Sequence, residues 1–378
     1  MRVAFVSEAV AQHRDVGATR RTRRVAESLA ARGHEAVVCC AQWWDGDHDE
    51  FEQGGVTYRR VTREAPGDAG RFAVELPGVL RAVDPDVIQA VPVPSHVLAA
   101  KAVSVFLRVP LVVDWYDAPG PGDADDPRWR LAATLPDLIL VPSETVRTRV
   151  RELGADADAV RVVPNAIDMD AIRAAEPRHA ADIVYSRRLD EDANLESLLL
   201  ALAELRDHDW SAVVIGDGPE RDVYERQVRD LRIDDRVRFA GSQSLENRLA
   251  AFKDAHVYVQ TARRESFPTD LLRALACGCA GVVEYHVESS AHELVEQEDR
   301  AFRTTSEQEL TEALVKASEM EELTVNENFA TFDESQVGDE YLAAYDEAKS
   351  RMSWLEVAAV AGGAVLVVAV VVLLVLLL

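Results

Sequence analysis

Short runs of apolar residues, separated by amphipathic stretches, recur twice along this chain of 378 residues. In the first half the runs are Arg2–Ser7, Glu35–Cys40, Val56–Val61, Asp86–Val91, Leu111–Asp114, Leu138–Val141 and Val160–Val163. Between the first two, Thr19–Arg32 has helical spacing, with Val25 and Leu29 on one face and Gly33 as the stop. Runs that are apolar on both faces and alternate with helices predict parallel strands covered by helices on both sides. The pattern restarts after Val163-Pro-Asn-Ala-Ile-Asp168, with Ile183–Tyr185, Ala212–Ile215, Arg236–Phe239, His256–Val259 and Gly281–Val283. The expectation is therefore two successive α/β domains, over 1–165 and 166–335, facing each other across a cleft. A closing helix follows over 336–350, with Tyr341 and Tyr345 one turn apart. In open α/β sheets ligands bind beyond the carboxyl ends of the strands, so the chemistry is sought in the turns after each run.

Charge narrows the partners. There are 66 acidic against 41 basic side chains, a formal charge of −25, which excludes a general nucleic-acid binder. Only Lys101, Lys253, Lys316 and Lys349 are lysines. Such an acidic, lysine-poor, arginine-rich composition resembles that of a haloarchaeal protein. For an acidic protein from any source, the physics is a surface that repels itself and resists aggregation. Cys39, Cys40, Cys277 and Cys279 match neither a CxxC pair nor a zinc spacing, and read as small buried apolar residues. No metal site is expected.

One segment belongs to neither core. Val357–Leu378 carries no charged or polar side chain. As a helix it would be about 33 Å long, against a hydrocarbon core of about 30 Å. Lys349, Arg351 and Trp354 precede it, and no signal-peptide pattern follows Met1. The expectation is a single-pass C-terminal anchor over 354–378 that holds a cytoplasmic head on the cell membrane. The alternative is a buried core helix.

Two turns carry the chemistry-bearing residues of the second half. After His256–Val259 comes Glu265-Ser-Phe-Pro-Thr-Asp-Leu-Leu-Arg-Ala-Leu-Ala-Cys-Gly278. A carboxylate just past a strand can accept hydrogen bonds from sugar hydroxyls, and the N–H groups opening the next helix can hold a phosphate. A capped helix with a surface glutamate would show the same pattern. In Ile215-Gly-Asp-Gly-Pro-Glu220, Gly216 and Gly218 permit a tight strand-to-helix turn. It lacks the spacing of a dinucleotide-binding loop, and there is no GxxxxGK[ST] loop. In the first half, Arg14, Arg20, Arg21, Arg23 and Arg24 crowd around Gly17 and the start of the first helix. Arginine there opposes the helix dipole. Such a cluster either binds an anion, from lipid headgroups or an acceptor phosphate, or forms a solvated face with carboxylate partners. His96, near a helix start, reads as a packed histidine.

In order and spacing, these segments resemble family 4 glycosyltransferases. The likeness runs through the Gly17 loop, the helix ending Leu-Ala-Ala-Arg-Gly-His34, and Val163-Pro-Asn-Ala-Ile-Asp168. It continues through Ser186-Arg-Arg-Leu189, Ile215-Gly-Asp-Gly-Pro219, Val237-Arg-Phe-Ala-Gly241, Glu265-Ser-Phe-Pro and Ala274-Leu-Ala-Cys-Gly278. The resemblance implies the GT-B fold, two facing Rossmann-like domains with an interdomain cleft. It also implies a nucleotide diphosphate sugar as co-substrate, held mainly by the second domain, and transfer with retention and no metal or other cofactor. Glu265 would take the donor-sugar hydroxyls and Arg188 the diphosphate. Ser266, Phe267 and Pro268 would present backbone amides, with Gly216 and Gly218 also on the donor side. Gly17, Arg20, Arg21, Tyr116 and Asp117 would lie on the acceptor side. Three positions depart from the family. Arg273 stands where a second Glu grips the ribose, Ala193 where a Lys joins Arg188, and Tyr116 where a His follows a first-domain strand. Arg273 could return positive charge to the diphosphate.

These readings point to a membrane-anchored retaining glycosyltransferase acting on a lipid-linked or membrane-proximal acceptor. The first rival is a catalytically degenerate subunit that binds nucleotide sugars or acts as a scaffold. A second is a sugar-nucleotide epimerase of the same fold, for which a membrane anchor has no use.

Overall fold

The computed structural model describes residues 1–63, 66–117, 126–178 and 181–361, with side chains as far as Met352. The chain divides into two compact units. One is Met1–Val163 together with the segment from Val337 onward, and the other is Pro164–Gln336.

The first unit alternates strand and helix from its start. In order it has β1 (Arg2–Val6), α1 (Gly17–Ala31), β2 (Glu35–Ala41), β3 (Glu50–Gln53), β4 (Val56–Thr62), α2 (Ala69–Val83) and β5 (Val87–Ala90). Then come α3 (Pro94–Leu107), β6 (Leu111–Asp114), α4 (Pro127–Thr134), β7 (Leu138–Val141), α5 (Glu144–Glu152) and β8 (Val160–Val162). The sheet order is β3-β4-β2-β1-β5-β6-β7-β8. All described pairings are parallel except β3 on β4. β5, β6 and β7 are buried at every position, as strands covered on both faces must be. Asp68 and Ser143 cap α2 and α5 with their side chains. His96 has no exposed surface and lies against the Phe72 ring, so it is the packed histidine its position suggested.

The second unit contains α6 (Met169–Ala174), β9 (Ile183–Ser186), α7 (Leu195–Glu204), β10 (Ala212–Ile215), α8 (Arg221–Asp230), β11 (Val237–Gly241), α9 (Leu245–Asp254) and β12 (Val257–Gln260). It continues with β13 (Arg264–Glu265), α10 (Thr269–Ala276), β14 (Ala280–Glu284), β15 (Glu288–Ser289), β16 (Ala301–Thr304) and α11 (Glu307–Ser318). Its six-stranded parallel sheet runs β11-β10-β9-β12-β14-β16, and β13 pairs only with β15. In each sheet the chain winds one way from a central strand and then the other. The reversal falls between β1 and β5 in the first unit and between β9 and β12 in the second. A crevice at the carboxyl ends of such strands is where this fold takes ligands.

Several elements differ from expectation. α1 begins at Gly17, two residues early, because the Thr19 hydroxyl accepts the Val16 N–H at 3.2 Å and caps the extra turn. β3 escaped the periodicity because an exposed antiparallel edge strand needs no apolar run: Glu50-Phe-Glu-Gln53 has one apolar residue. The helix expected over 336–350 is the first part of α12 (Glu334–Ala361). The apolar run Val357–Leu378, and the anchor expected from it, lies outside the described side chains and, past Ala361, outside the described backbone. Among the described residues no helix is long and apolar enough to cross a membrane. The four cysteines are buried free thiols, and burial pushes Cys39 and Cys277 up to about 12.

Candidate functional site

The reversal point of the second sheet brings together the turn after β9 and the turn after β12. β13 fixes Glu265 by pairing with β15, Arg264 opposite Glu288 and Glu265 opposite Ser289. The Glu265 carboxylate meets Arg187, with Nε to Oε2 at 3.2 Å. Arg187 also donates from Nη1 to Asp190 at 3.0 Å and from Nη2 to the Arg264 carbonyl at 2.9 Å. Its side chain is 14% exposed. Burial works against its charge, and Glu265 and Asp190 more than offset that. The result is a held cation between two carboxylates, on the turn that joins β9 to α7.

Behind Glu265 lies a second ionic cluster. Asp270, in the first turn of α10, accepts from Arg248 at 2.6 Å, Arg273 at 2.8 Å and the Ser186 hydroxyl at 2.7 Å. Burial alone would raise the Asp270 carboxyl, but Arg273 and Arg248 hold it below the usual carboxylate range. Asn165 donates to the Thr269 hydroxyl at 2.9 Å, and Ser290 to the Ser266 carbonyl at 2.9 Å, so the start of α10 is braced from both sides.

The residues singled out from sequence take different places in this arrangement. Glu265 is half-buried at the reversal point. Arg188 sits on the same turn with 71% of its side chain exposed and lies 3.8 Å from Asp190. Ser266 is half-buried, while Phe267 and Pro268 are buried immediately before α10. Arg273 is buried and committed to Asp270. Ala193 is fully buried. Gly216 and Gly218 let the turn after β10 press against the turn after β9. A Cβ on Gly216 would lie 1.9 Å from the Arg187 carbonyl oxygen, and one on Gly218 would lie 2.2 Å from that of Leu189. The sequence reading did not single out Arg187 or Asp270. The adjacent pair in Ser186-Arg-Arg-Leu189 was the visible signal for Arg187, but only the fold selects which of the two turns inward.

The acceptor-side candidates belong to the first unit. Arg21 is buried. It grips Asp114 through Nε at 2.9 and 3.1 Å and donates from Nη2 to the Val163 carbonyl at 2.8 Å. The Tyr341 hydroxyl of α12 donates to Asp114 at 3.0 Å, Gln89 donates to it at 3.2 Å, and Tyr345 donates to Gln89 at 2.5 Å. Arg21 thus helps dock α12. Arg20 lies outside this network, paired with Asp15 at 2.7 Å. The Tyr116 ring covers Gly17 so closely that a Cβ there would meet it at 2.5 Å. Asp117 is exposed at the end of the described segment.

Comparison with known proteins follows this division. Residues 16–171 match the family model Glycosyltransferase Family 4, and residues 169–329 match Glycosyl transferases group 1. The 2-deoxystreptamine glucosyltransferase of Streptomyces kanamyceticus is 28% identical over 129 residues, 30% of this chain and 33% of that one. The chain's matches span well under half the length of such curated relatives. Among solved structures, Anabaena HepE in complex with UDP superposes with a TM-score of 0.68 at 18% identity, over 96% of this chain and all of that one. The lipopolysaccharide outer core galactosyltransferase WaaB superposes at 0.70 and 17% identity, over 91% and 99%. Each half of the chain thus matches a glycosyltransferase family model, and the frame that carries them is the GT-B-like one of two Rossmann-like domains.

Proposed function

We propose that this protein moves a sugar from a nucleotide diphosphate sugar to a lipid-linked or membrane-proximal acceptor, with retention and without a resident metal. The observation that carries the reading is Glu265 beside Arg187 of the β9 turn, where Arg188 stands exposed, at the sheet's reversal point and just ahead of α10. Glycosyl transfer leaves negative charge on the departing diphosphate. Exposed Arg188 can reach for that charge, and the N–H groups that open α10 can hold a phosphate as helix starts do. Glu265, fixed by β13, can accept hydrogen bonds from the sugar hydroxyls. The HepE structure in complex with UDP supports a nucleotide as the donor's other half.

The test incubates membranes that contain the full chain with labelled nucleotide sugars. Label is expected in the lipid extract, and Glu265→Ala is expected to lower transfer by about two to three orders of magnitude. Undiminished transfer by that variant would remove Glu265 from the site.

The acceptor class rests on the run Val357–Leu378, read as the anchor of a cytoplasmic head on the cell membrane, since tethering raises the encounter rate with a bilayer-bound acceptor. An arginine at the middle of the run, Val368→Arg, costs about 2.5–3.5 kcal/mol of insertion. It is expected to move a large share of the protein from the membrane fraction to the supernatant. Unchanged partition would remove the anchor from the proposal.

A second reading, a donor-binding subunit without turnover, is favoured by the ion pairs themselves. Glu265 is engaged by Arg187 and Arg273 by Asp270, and Ala193 leaves no lysine on the turn. Calorimetry separates the two readings, because donor binding with no transfer to any acceptor supports the subunit.

A further inference from the structure

We propose that a pocket of the first unit, where the end of β4 meets α2, binds a phosphate ester. The pocket encloses about 330 Å³ and is lined by Arg59, Arg60, Arg63 and Arg71 with Asp49 and Glu75. Four arginines around one pocket stand out in a chain of 41 basic to 66 acidic side chains.

Strand β4 is parallel to β2; Arg59 lies at its middle, Arg60 one residue on, and Arg63 just past its carboxyl end, the ligand-binding side of such a sheet. Ion pairs hold the arginines in place. Arg59 pairs with Glu50, Arg60 with Asp49, Arg63 with Asp47, and Arg71 with Glu75 at 2.9 Å. The burial of the partners is uneven. Arg60 is 13% exposed and Arg59 28%, whereas Asp47 is 76%, Asp49 67% and Glu50 52% exposed. Arg60 is also fixed by donating to the Gln42 side chain at 3.1 Å. The innermost cations are thus built into the fold, and their carboxylates are exposed partners of the weak surface kind. An incoming phosphate can displace those carboxylates and take their place on the guanidinium groups, with Arg60 still held by Gln42. Planar guanidinium donors match phosphate oxygens two at a time, which a carboxylate swinging in from solvent does less well.

This inference does not depend on the sugar-transfer reading, whose residues Glu265 and Arg188 lie in the other unit. The phosphate can come from a phospholipid headgroup or from a soluble phosphate ester, and the test separates these sources. In detergent, the full chain is titrated with glycerol phosphate by calorimetry. Arg63→Ala with Arg71→Ala is expected to weaken binding roughly tenfold or more, since charge-assisted contacts are lost. Glu75→Gln removes a competing carboxylate and is expected to tighten binding several-fold. Arg226→Ala removes an exposed arginine of α8 in the other unit and is expected to leave this binding unchanged. Flotation then compares phosphatidylcholine vesicles with vesicles that also contain phosphatidylglycerol. Stronger flotation with the anionic lipid, lost in the double variant, assigns the phosphate to a headgroup. Glycerol phosphate binding without that lipid dependence assigns it to a soluble ester. No binding, or binding that neither the double variant nor Glu75→Gln alters, overturns the proposal. The opposite effects expected of these variants also rule out loss of folding as an explanation.

Discussion

Arg21 shows how a residue can be conspicuous in sequence for one reason and matter in the fold for another. In sequence it is one of five arginines near a helix start, a cluster that fits either an anion site or a solvated face with carboxylate partners. In the fold its partner is Asp114, at the end of β6, with Tyr341 and Gln89 donating to the same carboxylate. Nothing local announces a contact across 93 positions, so the arginine was legible but its role was not. Removing the carboxylate leaves a buried guanidinium uncompensated. Asp114→Ala is therefore expected to cost about 3–5 kcal/mol in denaturant unfolding, and Tyr341→Phe about 1 kcal/mol. His96 allows a test by pH. Burial lowers its pKa to about 4, although Glu8 lies 3.8 Å from Nε2. Between pH 6.5 and 4 the unfolded chain takes up this proton and the folded chain does not. Stability from this site is thus complete above pH 6.5 and is lost as pH falls toward 4, by up to about 3 kcal/mol. Comparing acid unfolding of the wild type with His96→Phe isolates it. The variant is expected to lose less stability over that window, and equal loss would show that other groups set the acid limb.

At the scale of elements, legibility depended on burial. β6, β7 and β10 are buried at every position and were readable to the residue. β3 and β16 were missed because they carry exposed polar residues that no periodicity distinguishes from loop. The glycines after β10 fall between these cases. Their turn was legible, but its partner was not, because the close approach is to the backbone of another turn. Gly216 has φ +136° and faces the Arg187 carbonyl, so a side chain there meets both strain and a rigid obstacle. Gly216→Ala is expected to destabilise by about 1–3 kcal/mol and to displace the Arg187–Arg188 turn. Both effects are measurable, as a lowered melting temperature and as weakened nucleotide-sugar binding at a temperature where the variant is still folded. Full donor affinity in the folded variant would show that this turn does not position the site.

At the scale of the whole molecule, the two-part plan was legible because the run of parallel strands stops and restarts. The return of the chain to the first unit through α12 was not, since only the tertiary partners of Tyr341 and Tyr345 reveal it. Net charge makes its own prediction at this scale. A formal charge of −25 means that at least 25 of the 66 carboxylates have no cation of their own, so folding concentrates charges that repel one another. Salt acts on two opposed terms. It weakens surface pairs such as Arg2–Glu35 and Arg173–Glu327, each worth little when exposed. It also screens the repulsion that the surplus carboxylates exert on one another across the whole surface. Buried pairs such as Arg21–Asp114 are screened much less than either. Repulsion is therefore the larger salt-sensitive term, and added potassium chloride is expected to raise the melting temperature. Most of the rise should fall below about 1 M, over which the screening length shrinks from about 10 Å at 0.1 M to about 3 Å. The same titration near pH 4.5, where carboxylates begin to take up protons, should show a smaller rise because there is less repulsion to screen. A melting temperature that is flat or falls with salt at neutral pH would mean that the exposed pairs outweigh the surplus charge.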